Sequence, residues 1–139
     1  MTLRALVLTL ATAGALLGAD WPGFLGPSGD NRSPETNLIR TFPSTGPTVV
    51  FDLPVGTGYA APSVAAGRLF LFHRLETTEI LQAMDPATGR VLWTNGYPTR
   101  FQDPYGYNNG PRCAPLVAKG TVFTYGAEGK LSAFDTEIG

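Results

Sequence analysis

The stretch LQAMDPATGRVLW, residues 81–93, decides the fold of this chain. It predicts two strands joined by a tight turn, because apolar residues lie on both sides of a short polar segment. In the turn, Asp85 can accept free backbone N–H groups, Pro86 has a fixed φ, and Gly89 can take the positive φ that closes the turn. Residues 91–93, all apolar, form the second strand.

The start of this stretch, and a segment that precedes it, both occur a second time further along the chain. Residues 61–70, APSVAAGRLF, match residues 114–123, APLVAKGTVF, at an offset of 53. Residues 81–85, LQAMD, match residues 131–135, LSAFD, at an offset of 50. The three-residue difference falls in a central hairpin that is longer in the first copy. Each copy predicts a short strand, a glycine turn, two strands joined by a hairpin, and an Asp-to-Gly turn.

The repeated positions follow the pattern Ala-x-Asp-x-x-Thr-Gly-x-x-x-Trp. They are Ala83, Asp85, Thr88, Gly89 and Trp93 in the first copy, and Ala133, Asp135 and Gly139 in the second. The pattern resembles the repeat signature of the pyrroloquinoline-quinone (PQQ)-like β-propellers, in which it ends each blade and the Trp packs between neighbouring blades. The resemblance implies an all-β fold, a β-propeller fragment of four-stranded antiparallel blades.

The resemblance also divides the chain. Residues 20–46 are expected to form an N-terminal arm, and residues 47–139 the start of the propeller. Blade 1 spans about residues 60–95 and ends with a fourth strand at Trp93, residues 96–112 form a linker, and residues 113–139 form an incomplete blade 2. The second copy stops at Gly139, before its fourth strand. We therefore expect a piece of a longer protein with about one and a half blades.

The first 19 residues predict a secretory signal peptide. Arg4 is followed by an apolar run at residues 5–17, then by small residues and the polar Asp20. The run is shorter than the about 20 residues of a membrane span. We expect cleavage after Ala19 and a periplasmic or secreted protein with no membrane span; an uncleaved N-terminal anchor is the alternative. The net charge of −1 argues against nucleic-acid binding.

Single residues and short segments give further expectations. Residues 48–55, TVVFDLPV, are rich in β-branched side chains and predict a strand. Trp21 and Phe24 of the arm should pack against the body of the fold. Cys113, the only cysteine, is expected to be a small buried hydrophobe. His73, the only histidine, is expected at an exposed hairpin edge, so a histidine metal cluster cannot form.

The linker between the two copies holds the candidate ligand-binding residues. Its sequence at 97–112, YPTRFQDPYGYNNGPR, is long and aromatic, and long loops often carry function. Aromatic rings with amides suit a sugar or a planar ring, and a guanidinium suits an anion. The alternative is an ordered structural loop in which Arg112 pairs with an acid. The candidates are Tyr105, Tyr107, Asn108, Asn109 and Arg112.

No residues predict catalysis or a metal site. Ser63 lacks the surroundings of a nucleophile elbow, and Asp85 and Asp135 are explained by their turns. The resemblance implies two functions. We expect an exported, non-catalytic binding or scaffold module, similar to BamB-like proteins, with a protein partner or small ligand at the propeller mouth and no cofactor. The alternative is the N-terminal part of a PQQ-dependent alcohol or sugar dehydrogenase holding PQQ and Ca²⁺, although the Cys-Cys pair of those enzymes is missing.

Overall fold

The computed structural model describes residues 18–139, and the all-β expectation is confirmed for this part of the chain. It contains two antiparallel sheets, of four and three strands, and no helix. The predicted signal peptide lies almost wholly outside the described residues. The strands are β1 (Ser63–Ala65), β2 (Arg68–Leu75), β3 (Thr78–Met84), β4 (Val91–Pro98), β5 (Leu116–Ala118), β6 (Thr121–Tyr125) and β7 (Leu131–Asp135).

The first sheet has the order β1-β2-β3-β4, and its last strand is longer than expected. β4 does not end at Trp93, because β3 is long enough to pair with it as far as Thr78 opposite Pro98. The Ala83/Met84 step of this ladder carries a bulge, which suits the turn that precedes β4. Residues 96–98 therefore belong to the sheet, and the linker to β5 begins at Thr99.

The second sheet has the order β5-β6-β7 and repeats the register of the first. Ser63 lies opposite Phe70 in the first sheet, and Leu116 lies opposite Phe123 in the second. Both short hairpins turn through a residue and a glycine with positive φ, at positions 66–67 and 119–120. Positive φ at both positions matches the twist of the flanking strands. The sequence repeat is thus a structural repeat over three strands.

The Asp-to-Gly turn is built in the same way in both copies. The Asp85 carboxylate accepts the backbone N–H groups of Ala87, at 2.8 Å, and Thr88, at 3.1 Å. These bonds, led by that from Ala87, lower the pKa of Asp85. Gly89 closes the turn with a φ of 71°. Asp135 accepts two N–H groups in the equivalent way one copy later.

The core lies between the two sheets, with Trp93 at its edge. The Trp93 ring lies 6.0 Å from the Phe70 ring of the first sheet and 6.5 Å from the Phe134 ring of the second. Its Nε1 donates to the Thr136 carbonyl oxygen at 3.2 Å, inside the second Asp-to-Gly turn. The residues buried around this contact are Phe70, Phe72, Leu81, Ala83 and Val122.

Each Asp-to-Gly turn is covered by an aromatic ring from an earlier segment. A Cβ at Gly139 would lie 3.1 Å from the Trp93 ring, and a Cβ at Gly89 would lie 2.8 Å from the Phe51 ring. The approach at Gly89 leaves no room for a side chain, and the approach at Gly139 is tighter than an ordinary contact. Both residues also have a positive φ, which favours glycine. Phe51 covers the first turn in the same way that Trp93 covers the second.

The strand predicted for residues 48–55 is wrong. The segment forms no strand ladder, and Val49 and Val50 are exposed. Only Thr57, just beyond it, forms an isolated bridge, to Arg74. Within residues 18–139 no strand lies along residues 48–55, so their high β-propensity has no partner. β-propensity describes fit to a sheet surface and does not create one.

The arm touches both sheets through its first residues. Trp21 forms an isolated antiparallel bridge with Val64, and the Pro22 carbonyl oxygen accepts the Val117 N–H at 2.7 Å. The Trp21 ring packs beneath Gly26. Phe24, which was expected to pack as well, is exposed, because Trp21 fills the inner side of this turn.

The expectations for His73 and Cys113 are also wrong. His73 is buried, because residues 56–57 lie over β2: its Nδ1 accepts the Gly56 N–H at 2.8 Å. The other ring nitrogen, Nε2, therefore carries the proton and faces Gln82 Oε1 at 3.1 Å. Burial lowers the pKa of His73, and the bond to Gln82 opposes this only in part. Cys113 is exposed, because it precedes β5 and belongs to the linker.

Candidate functional site

The linker between β4 and β5, residues 99–115, holds the five candidate residues on one surface. Tyr105 and Tyr107 are 79% and 77% exposed. Their rings stack on each other, with centroids 6.2 Å apart and planes inclined by 28°. Exposing large aromatic rings to water is unfavourable, and exposed apolar patches often mark binding sites. This pair therefore indicates a binding surface.

Asp103 organises the linker, although the sequence did not single it out. One carboxylate oxygen accepts the Tyr105 N–H at 3.0 Å, and the other accepts the Asn108 N–H at 3.2 Å and Arg112 Nη2 at 2.9 Å. These groups, the Tyr105 N–H first, lower the pKa of Asp103. The Asp-Pro dipeptide at 103–104 was the signal, since Asp before a turn commonly accepts N–H groups of the following residues.

The two asparagines use their oxygens inside the linker. Asn108 Oδ1 accepts the Gly110 N–H at 2.8 Å, and Asn109 Oδ1 accepts the Asp103 N–H at 2.8 Å. Their side-chain NH₂ groups donate to no other group of residues 18–139. The amide oxygens therefore shape the loop, while the amide donors are free to meet a ligand.

Arg112 lies across the base of the linker. Its guanidinium donates to Asp103 and to the carbonyl oxygens of Asn108 and Gly110. Its central carbon lies 5.1 Å from the centroid of the Phe101 ring, within the range of cation–π contacts. Arg112 is thus a paired cation in an aromatic setting, and its charge is balanced by Asp103.

Arg74 ties the linker to the first sheet and was missed at the sequence level. It is buried, and its Nη1 donates to the carbonyl oxygens of Phe101, at 2.6 Å, and Asn109, at 2.9 Å. Its Nε donates to the Glu76 carbonyl oxygen at 2.6 Å. A buried arginine satisfied by carbonyl oxygens fixes the backbone around it. Arg74 therefore fixes the linker backbone at Phe101 and at Asn109.

Two open grooves share Tyr107 as a lining residue. The aromatic groove, of about 440 Å³, is lined by Tyr59, Phe101, Asp103, Tyr105, Tyr107 and Arg112. The polar groove, of about 500 Å³, is lined by Thr57, Arg74, Glu76, Tyr107, Asn108 and Asn109. Both volumes fall in the about 300–1,000 Å³ range of small-molecule sites. Tyr107 belongs to both grooves.

A second polar cluster joins the two sheets, and its side chains, those of Glu79, Tyr97 and Lys130, line neither groove. Glu79 is fully buried opposite Tyr97, and its Oε1 accepts the Ala127 N–H at 2.9 Å. Burial, with the Glu79 carboxylate beside it, raises the pKa of Tyr97. Lys130 Nζ lies 3.9 Å from the centroid of the Tyr97 ring. A side chain at Gly126 would collide with both Glu79 and Tyr97, so the cluster is closely packed.

Ser63 and His73, the residues that serine–histidine catalysis would use, form hydrogen bonds with other groups. The Ser63 hydroxyl donates to the Pro115 carbonyl oxygen at 2.5 Å, and both His73 ring nitrogens are bonded to Gly56 and Gln82. Serine and histidine thus form no nucleophile–base pair.

The linker also does not fit the calcium site of a PQQ enzyme. Calcium needs several free oxygen ligands. Both oxygens of Asp103 and the amide oxygens of Asn108 and Asn109 already accept hydrogen bonds. In the part of the chain that the structure describes, no three His, Cys, Asp or Glu side chains come together as metal ligands.

Two further findings complete the description. Residues 18–139 include no helix with the length and apolar character that crossing a membrane requires. No protein-family model, curated protein or solved structure matches this chain. Function must therefore be inferred from the residues of the site and from the repeated turn motif.

Proposed function

We propose that this chain is an exported, non-catalytic binding module of the PQQ-like β-propeller type, similar to BamB-like proteins, which binds a partner or ligand through the linker at residues 99–115. Two features support the propeller type. The three-strand unit occurs twice with one register, and each copy ends in the same Asp-to-Gly turn. The predicted signal peptide at residues 1–19 supports export.

One observation carries the binding role: two exposed, stacked tyrosines stand on a linker that is internally bonded. Asp103 and Arg112 pair with each other, and Arg74 holds the backbone on the side of the first sheet. A rigid loop loses little conformational entropy when it binds. Tyrosine offers a large amphipathic surface with few rotatable bonds, which is why binding loops favour it. The linker thus combines a fixed backbone with an exposed contact surface.

The proposal includes no cofactor, and the dehydrogenase alternative finds no support among these residues. A PQQ site needs a flat aromatic floor and several oxygen ligands for Ca²⁺. Trp93 packs between the sheets, Trp21 packs against Gly26 within the arm, and the linker oxygens already accept hydrogen bonds. We therefore expect no saturable binding of PQQ with Ca²⁺.

The test is calorimetric titration of the purified chain with three kinds of probe: neutral oligosaccharides, proline-rich peptides, and PQQ with Ca²⁺. We expect saturable binding of one of the first two probes. The double substitution Tyr105→Ala and Tyr107→Ala should weaken it at least about tenfold, which corresponds to about 1.4 kcal/mol. Tyr125→Ala is the matched control, since Tyr125 is also exposed but lies in the second sheet.

Three outcomes would contradict the proposed function. One is that no probe binds, and another is that binding survives the loss of both tyrosines. The third is saturable binding of PQQ and Ca²⁺, which would favour the dehydrogenase alternative.

A further inference from the structure

We infer that the ligand of this surface is a neutral oligosaccharide that straddles Tyr107, with one sugar unit in the aromatic groove and the next in the polar groove. The inference rests on the proposed function, because it takes the linker to be a binding surface. It goes further by naming the class of ligand and the way it lies across the two grooves. Charge, ring geometry and the supply of hydrogen-bonding groups each support it.

The charges of both grooves are balanced. The aromatic groove holds Arg112 and Asp103, which pair with each other at 2.9 Å. The polar groove holds Arg74 and Glu76, one cation and one acid. A groove with no net charge has no electrostatic attraction for a phosphate, a nucleic acid or another polyanion. Charge therefore selects a neutral ligand.

The tyrosine pair forms a one-sided platform. A flat ring held between two aromatic rings needs a contact of about 3.5–4.0 Å on each face, so the two rings must be about 7–8 Å apart. The centroids of Tyr105 and Tyr107 are 6.2 Å apart and the rings already stack, so nothing fits between them. The outer faces remain available. The C–H face of a sugar ring, which is weakly positive, suits the negative face of an aromatic ring.

The polar groove offers donors and acceptors together. Asn108 and Asn109 present NH₂ donors, and Glu76 presents a carboxylate acceptor. Sugar hydroxyls both donate and accept, so they can satisfy all three groups. A proline-rich peptide has few backbone N–H groups, because proline lacks one, so it offers the Glu76 carboxylate fewer donors than a sugar does. The groove therefore suits a sugar better than a proline-rich peptide.

Tyr107 makes the two grooves neighbouring subsites. It lines both of them, so a ligand that occupies both grooves contacts this residue. A single sugar fills only one subsite. Binding both subsites with one molecule avoids a second loss of translational and rotational freedom. The affinity should therefore rise with chain length until both grooves are filled, and then level off.

The test is calorimetric titration of the purified chain with malto-, cello- and chito-oligosaccharides of one to six units. We expect one series to bind at least about tenfold more tightly as the dimer than as the monomer, with little further gain in the longer members. Raising the salt concentration from about 50 to about 500 mM should leave the affinity within about twofold, because no phosphate-like charge is involved.

Matched variants locate the ligand. Tyr107→Ala should lower the affinity for the trimer at least about tenfold and remove the gain over the monomer, since Tyr107 serves both subsites. Tyr107→Phe keeps the ring and should keep most of the affinity. Tyr125→Ala should bind as the unsubstituted chain does. Both tyrosines are exposed, so these substitutions leave the core intact.

The outcomes separate this inference from the proposed function. If a proline-rich peptide binds in a Tyr107-dependent way and no oligosaccharide does, the inference is wrong while the proposed function stands. If affinity does not depend on chain length, or if Tyr107→Ala binds the trimer normally, the two-subsite arrangement is wrong. If no probe of any kind binds, the proposed function itself is contradicted.

Discussion

The two copies of the repeat share residues and register but differ sharply in burial. Leu81 in β3 is 1% exposed, whereas Leu131, its counterpart in β7, is 69% exposed. The second sheet, the arm and residues 51–57 all pack against the first sheet. In contrast, β7 is the edge strand of the second sheet. The repeat motif therefore specifies strands and turns, and neighbouring segments decide what is buried. This is the behaviour expected of repeat proteins, whose stability is shared between units and their interfaces.

The copies differ a second time in the central hairpin. In the first copy the strands continue to a two-residue turn, and the added residues include His73, Arg74 and Glu79. All three side chains are buried and bonded to segments outside the sheet. The second copy turns earlier, at residues 126–130. The candidate site is therefore held by the part of the first copy that the second lacks.

The largest expected effect tests the difference in burial. Leu81→Ala should lower the free energy of unfolding by about 3 kcal/mol, because it removes a fully buried side chain and leaves a cavity. Leu131→Ala, the same substitution at the counterpart position, should change it by less than about 0.5 kcal/mol. Urea denaturation of both variants, followed by tryptophan fluorescence, measures the two values.

A similar loss in both Leu variants would show that the second sheet is buried to the same extent as the first. That result would contradict the difference in burial between the two copies, whether the shared loss of stability were large or small.

An intermediate effect tests the role of the hairpin extension. Arg74→Met should cost about 2 kcal/mol, because it removes charge-assisted hydrogen bonds to the Phe101 and Asn109 carbonyl oxygens in a buried setting. It should also speed hydrogen exchange in residues 101–110. Arg68→Met is the control: Arg68 pairs with the exposed Glu137, and an exposed pair contributes about 0–1 kcal/mol. Unchanged hydrogen exchange in the Arg74 variant would mean that the linker keeps its conformation without Arg74.

The smallest expected effect concerns the pH dependence of His73. Burial lowers its pKa from the ordinary value of 6.5, so the unfolded chain takes up the proton first as the pH falls. His73 should therefore reduce stability progressively below pH 6.5 and have no such effect above it. As the only histidine, it gives one imidazole signal in NMR. We expect a midpoint below 6.5 in the folded chain and near 6.5 in urea; a folded midpoint at or above 6.5 would show that the ring is solvated.

The sequence predicted what depends on local chemistry. The Asp-to-Gly turn follows from Asp85 and Gly89 alone, and the aromatic loop stands out by composition. Prediction from the sequence failed where contacts between distant segments determine the structure. The strand expected at residues 48–55 needed a neighbouring strand, and the burial of His73 depends on Gly56, which is 17 residues away. Arg74 was missed for the same reason, since the carbonyl oxygens that it binds lie 27 and 35 residues away. Asp103 was missed although the Asp-Pro dipeptide gave a local signal.

The aromatic ring that covers each Asp-to-Gly turn limits which segment of the gene can be duplicated to add a repeat. Trp93 meets the turn at residues 135–139, and Phe51 meets the turn at residues 85–89, so every such contact crosses from one sheet or segment to the next. A duplicated gene segment covering only the first sheet would separate Trp93 from its turn. A segment covering residues 90–139 would carry both halves of the contact. The sequence unit that can be duplicated with its contacts intact is therefore offset from the sheet.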